Sequence, residues 1–106
     1  MNITYFLKLL IITSFIYAKN GSISGLVIDS KNQKPLIGAN VFITESSIGT
    51  STDEKGFYKL NNVKNGTFIV KASYIGYKSY QDTLEISDSK DVILDFKLKY
   101  TTIKGQ

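Results

Sequence analysis

Acidic side chains are the first candidates for chemistry in this 106-residue chain, because it contains no histidine and no cysteine. Asp53 and Glu54, together with Asp29, could supply oxygen ligands to a calcium ion, which takes about six to eight of them. An aspartate in a turn that closes on a glycine, as Asp53 precedes Gly56, also caps that turn with its own side chain. We favour the turn, and the sequence predicts neither a metal site nor a cofactor.

Two pairs of carboxylates could serve acid–base hydrolysis, Asp82 with Glu85 and Asp88 with Asp91. They lie in a polar region flanked by turns, where no apolar pocket is indicated that would raise a carboxyl pKa. The usual general base and the usual thiolate nucleophile are missing along with histidine and cysteine. The sequence therefore predicts that the chain is not an enzyme.

Aromatic residues offer a third kind of site. Tyr74, Tyr77 and Tyr80, with Phe57 and Tyr58, could form a flat platform for a glycan. Tyrosine and phenylalanine are also good strand formers that fill the edges of a β-sandwich. We favour this structural role.

The basic residues argue against a nucleic-acid partner. All 13 of them are lysines, and they are scattered along the chain, mostly beside turn residues. Arginine provides the planar fork that suits phosphate and base recognition, and it is absent. A solvated surface accounts for the lysines.

The first 18 residues have the order of a secretory signal peptide. Lys8 precedes a short apolar run from Leu9 to Ile16, and Tyr17-Ala18 leads into polar sequence. The run is shorter than the roughly 20 residues that span a bilayer. An uncleaved anchor or a buried strand are the alternatives. Removal of residues 1–18 takes away Lys8, and the remaining 12 lysines and 9 acidic residues give a net charge of +3.

From residue 22 onward, apolar and polar residues alternate with the period of a β-strand. Strands are predicted at 22–29, 39–44, 57–60, 67–74, 77–86 and 92–100, with a loop at 45–52, turns at 53–56 and 87–91, and a hairpin at Asn65-Gly66. This spacing predicts an all-β fold, a small antiparallel β-sandwich of about seven strands over residues 19–100. Residues 101–106 are predicted to begin a truncated linker.

Blocks at Ile23–Asp29, Pro35–Val41, Gly49–Tyr58 and Ser73–Tyr77 occur in an order and at spacings that resemble one family. That family is the carboxypeptidase regulatory-like domain, a transthyretin-like β-sandwich, and the resemblance runs from about Gly21 to Tyr100. The turn and motif positions that we single out are Gly25, Pro35, Gly38, Ala39, Gly49, Asp53, Gly56, Phe57, Gly66, Gly76 and Tyr77.

The resemblance implies a function. In bacteria such a domain very often follows a signal peptide and precedes the plug of a TonB-dependent outer-membrane receptor. It therefore implies an exported, non-catalytic module in the periplasm or outer membrane of a Gram-negative bacterium, at the start of a nutrient-uptake receptor. Its partners would be proteins: the receptor's plug and barrel, and the inner-membrane energising complex. Because the sequence stops before a TonB box, we expect a truncated receptor.

Two alternatives stay open. The chain could be a stand-alone secreted module that binds a carbohydrate or another cell-surface polymer, or an accessory domain of a peptidase. A reading frame that continues into a plug and barrel favours the receptor, and a stop codon followed by unrelated genes favours the stand-alone module.

Overall fold

The computed structural model describes residues 20–101. The predicted signal peptide at residues 1–18, and all of the predicted linker except Thr101, lie outside the described residues. Nine β-strands occur within the described range: β1 (Gly21–Asp29), β2 (Asn40–Ile43), β3 (Gly49–Ser51), β4 (Phe57–Val63), β5 (Gly66–Ser73), β6 (Tyr77–Lys78), β7 (Tyr80–Ile86), β8 (Asp91–Ile93) and β9 (Phe96–Tyr100). Within residues 20–101, no helix is long and apolar enough to cross a membrane.

The strands form two sheets that pack as a sandwich. The first sheet has the order β4-β1-β9-β6, with β8 also paired to β1, and the second has the order β3-β2-β5-β7. The all-β sandwich predicted from the sequence is therefore confirmed.

Alternation along the strands builds the core between the sheets. In β2 and the residue before it, Ala39, Val41 and Ile43 share a face and are all buried, as the pattern predicts. Further apolar side chains of this core, each at most 2% exposed, are Ile23, Val27, Tyr58, Leu60, Val63, Val70, Ala72, Ile86, Phe96 and Leu98. Each large apolar side chain buried in this way contributes about 1.5–3 kcal/mol to stability.

The pairing of β1 differs from the antiparallel prediction. β1 runs antiparallel to β4, but parallel to β8 through Ser22–Ser24 and parallel to β9 through Val27–Asp29. The strand predicted at 92–100 is two strands, because Leu94-Asp95 passes beside Gly25 in the middle of β1. There the Leu94 N–H donates to the Ser24 carbonyl at 2.8 Å, and the Leu26 N–H donates to Asp95 Oδ1 at 2.8 Å.

Three further local predictions are wrong. Asn65-Gly66 does not form a hairpin, because β4 pairs with β1 and β5 pairs with β2 and β7, so the chain changes sheet there. The stretch 77–86 is also divided, since β6 lies in the first sheet and β7 in the second. Within the predicted loop 45–52, residues Gly49–Ser51 form β3 against β2.

Candidate functional site

One corner of the sandwich collects the sequence motifs, and Thr52 is at its centre. Its hydroxyl donates to the Leu36 carbonyl at 2.5 Å and accepts from the Ala39 N–H at 2.9 Å. Its own N–H donates to the Ala39 carbonyl at 2.9 Å, and its carbonyl accepts from the Gly38 N–H at 3.1 Å. These bonds join two motif blocks that are distant in sequence. The sequence analysis included Thr52 in a motif block but gave it no role of its own, because a threonine in a polar run carries no signal that distinguishes it.

Asp53 caps the turn that follows. Its Oδ1 accepts from the N–H groups of Lys55 and Phe57, both at 2.9 Å, and its carbonyl accepts from the Gly56 N–H at 2.9 Å. Gly56 has φ +79°, and its carbonyl accepts from the Val27 N–H at 2.8 Å. The turn is therefore fastened to β1.

The other motif residues shape the backbone at several places. Gly38 and Gly76 occupy turns with φ +81° and +84°. Gly49 and Gly66 begin β3 and β5, and Pro35 forms an isolated bridge with Ile28. Ala39 is buried, whereas Phe57 is 43% exposed.

The three acids considered for calcium are not brought together as a metal site. Asp29 Oδ1 accepts from the N–H groups of Lys31 and Asn32, at 2.7 and 3.0 Å. Within residues 20–101, no group of three or more histidine, cysteine or acidic side chains is placed to hold a metal ion. Asp29 and Asp53 each fix a turn of their own.

The four acids considered for hydrolysis lie on β7, in the turn before β8 and at the start of β8. Asp82 and Glu85 are three residues apart on β7, so their side chains point to opposite faces of the sheet. Asp82 Oδ1 accepts from the Thr83 N–H at 2.9 Å, and Asp91 Oδ1 accepts from the Ser22 hydroxyl at 2.7 Å. Asp88 has φ +55° in the turn before β8.

The five aromatic residues considered for a glycan platform do not form one surface. Tyr80 begins β7, is 54% exposed and packs edge-on against Phe96 at a ring-centroid distance of 6.2 Å. Tyr58 is buried, packs against Phe96 at a ring-centroid distance of 6.1 Å, and donates its hydroxyl to the Leu94 carbonyl. Phe57 faces outward on β4. A cluster that the sequence analysis did not foresee joins Tyr74, Tyr77 and Tyr100, with centroid distances of 5.6 and 5.3 Å. Tyr100 is the last residue of β9, and its place beside Tyr77 follows from the pairing of β6 with β9.

Asp29 and Tyr77 form a short side-chain pair beside this cluster. The Tyr77 hydroxyl donates to Asp29 Oδ2 at 2.5 Å. This bond, with the N–H groups of Asn32 and Lys31, lowers the pKa of the Asp29 carboxyl from its ordinary value. The same bond is the main reason that the pKa of Tyr77 rises to about 12, with burial adding to it.

The pair makes the stability of the fold depend on pH, through the Asp29 carboxyl. Because the pKa of Asp29 is lower in the folded state, its contribution is complete above its unfolded value of 3.8 and is lost as pH falls through the folded value. We expect Tyr77→Phe to lower the free energy of unfolding at pH 7. At pH 2–3 the free energies of unfolding of the variant and of the wild type should lie closer together. Urea melts at the two pH values measure this, and a difference that stays constant would contradict it.

The described part of the chain defines a small β-sandwich module whose distinctive residues fix turns and join strands. Its family follows from sequence comparison. The sequence model of the CarboxypepD_reg-like domain matches residues 23–106, and the chain belongs to this family.

A curated relative adds context. The TonB-dependent receptor SusC of Bacteroides thetaiotaomicron is 36% identical over 78 residues, which make up 74% of this chain and 7% of the receptor. The chain thus spans about 7% of the length of that relative.

Solved structures share the fold. BcpA, the major pilin subunit of Bacillus cereus, superposes with a TM-score of 0.65 at 18% identity, covering 78% of this chain and 31% of BcpA. A candidate carbohydrate binding protein of Bacteroides uniformis gives a TM-score of 0.57 at 18% identity, covering 76% of this chain and 42% of that protein. At these identities the similarity establishes the β-sandwich alone.

Proposed function

We propose that this chain is the exported, non-catalytic N-terminal module of a TonB-dependent outer-membrane receptor, located in the periplasm of a Gram-negative bacterium. The observation that carries the proposal is the 36% identity to the receptor SusC. Family membership supports it, because the match extends over residues 23–106, most of the chain. The module acts through protein contacts with the receptor's plug and barrel, and with the energising complex of the inner membrane.

An outward apolar strip on the first sheet supports a role in protein contact. Leu26 and Phe57 are directly opposite each other on β1 and β4 and are 40% and 43% exposed. Ile93 of β8 pairs with Ser24 of β1 and is 77% exposed. We define the strip as Leu26, Phe57 and Ile93. Apolar side chains gathered on one sheet face are suited to burial against another protein.

Sequencing the DNA downstream of this frame provides the first test. A frame that continues into a plug and a long β-barrel is the expected result, and a stop codon followed by unrelated genes contradicts the proposal. In the full receptor, replacing the strip by serine at Leu26, Phe57 and Ile93 is then expected to reduce nutrient uptake while the barrel stays in the outer membrane. Lys64→Gln, an exposed change away from the strip, is the matched control and is expected to leave uptake unchanged.

A stand-alone carbohydrate-binding module is the second candidate. Two tyrosines favour it, because Tyr80 and Tyr100 are 54% and 59% exposed and offer ring faces to a sugar. Isothermal titration of the full chain with neutral polysaccharides tests it. Binding that Tyr100→Ala abolishes, together with a stop codon after residue 106, would replace the receptor proposal.

A further inference from the structure

Three lysine side chains surround a small cavity where β6 meets β9. The cavity has a volume of about 270 Å³. Its lining consists of the lysines Lys78, Lys97 and Lys99 and the hydroxyl-bearing residues Ser30, Ser79 and Tyr80. We call it the lysine cavity.

The strand register explains why the lysines gather there. Phe96 and Leu98 of β9 point into the core, so Lys97 and Lys99 point outward together. Lys78 of β6 is directly opposite Lys99 in the antiparallel pair. Like charges in this position repel each other and destabilise a sheet. Three of the lysines that are scattered in the sequence, Lys78, Lys97 and Lys99, thus lie together in the fold.

No carboxylate within residues 20–101 forms an ion pair with these three ammonium groups. The carboxylate of Asp29, at the end of the neighbouring strand β1, is held by Tyr77 and by the N–H groups of Lys31 and Asn32. Asp95, the residue before β9, accepts from the Leu26 N–H. The fold therefore concentrates positive charge at the lysine cavity and directs the nearby acids elsewhere.

We propose that the lysine cavity binds a small phosphate or sulfate ester of about monosaccharide size. The ammonium groups neutralise the oxyanion, for which lysine serves as a point charge. The hydroxyls of Ser30 and Ser79 hydrogen-bond to the ester or sugar oxygens. The exposed ring of Tyr80 supplies an apolar face for the body of the ligand. The volume is close to the lower end of the range for ligand pockets, about 300–1,000 Å³, which suits a small ligand.

Thermal melts of the full chain at pH 7 and low ionic strength test the proposal with defined probes. Glucose 6-phosphate in excess is expected to raise Tm by about 4 °C, and inorganic phosphate and sulfate by less. Glucose at the same concentration is expected to have no effect. If sodium chloride at matched ionic strength gives the same rise as glucose 6-phosphate, charge screening alone explains the result and the proposal fails.

Substitution of one lysine gives a result that a merely structural role does not produce. Lys99→Gln is expected to raise Tm by about 2–4 °C without ligand, because the repulsion from Lys78 is removed. The same variant is expected to bind glucose 6-phosphate at least tenfold more weakly. Lys64→Gln, an exposed change outside the cavity, is the matched control and should alter neither quantity. Undiminished binding by Lys99→Gln, or equal weakening by Lys64→Gln, would overturn the site.

Discussion

Gly25→Ala is expected to lower the free energy of unfolding by about 4 kcal/mol, a large part of the roughly 5–15 kcal/mol that stabilises a small domain. A Cβ on Gly25 would lie 2.1 Å from the Leu94 carbonyl oxygen and 2.8 Å from Asp95 Oδ1. The oxygen of Leu94 cannot simply move away, because it belongs to the backbone and also accepts the Tyr58 hydroxyl. The junction of β8 and β9 would have to move away from β1. Urea denaturation of the full chain measures the resulting loss in the free energy of unfolding.

Gly38→Ala is the control for this substitution. Gly38 has φ +81°, but no atom beyond its own residue and its two chain neighbours lies within 4 Å of a Cβ built on it. Alanine there incurs only the left-handed backbone cost, about 1–2 kcal/mol. If Gly25→Ala is no more destabilising than Gly38→Ala, the close approach of Leu94 does not govern stability.

Gly56→Val is expected to destabilise the chain by about 3 kcal/mol, for two reasons that act together. Gly56 has φ +79°, which is strongly unfavourable for a β-branched residue. A Cβ there would also lie 2.8 Å from the Val27 carbonyl oxygen and 2.9 Å from Pro35 Cβ. The turn would pull away from β1, and the midpoint of urea denaturation should fall accordingly.

Asp53→Asn separates the charge of this turn from its geometry. An asparagine oxygen can accept the same two bonds from Lys55 and Phe57, so we expect a loss below about 1 kcal/mol. A larger loss than that of Gly56→Val, or a rise in Tm on adding calcium, would restore the metal site considered from the sequence.

Alternation predicted the sandwich and most of its core, because burial on one face of a strand leaves a period of two in the sequence. Val41, Val70 and Leu98 are buried where that period places them. Pairing was less predictable, because local alternation does not specify which strands become neighbours. The chain passes from one sheet to the other at Asn65-Gly66 and at Ser79. The local sequence favours a hairpin at the first position and an unbroken strand at the second.

The candidate sites show the same limit. The motif turn at Asp53 could be predicted, since its capping depends on residues within four positions. The lysine cavity could not, because Lys78 meets Lys99 only through the register of β6 with β9. Gly25 was singled out as a motif position, but the reason for a glycine there, the close approach of Leu94, depends on a residue far along the chain.

The parallel neighbours of β1 have a mechanical consequence. The first strand of the described domain, β1, begins at Gly21, and the last strand, β9, ends at Tyr100. Because β1 and β9 are adjacent and parallel, these two points lie at opposite ends of the strand pair. A pulling force between them acts along the strands and loads the hydrogen bonds of β1 with β8 and β9 in shear. These bonds must then rupture together, whereas pulling a hairpin apart from its open end breaks them one at a time. We therefore expect the described domain to resist a force applied along β1 and β9.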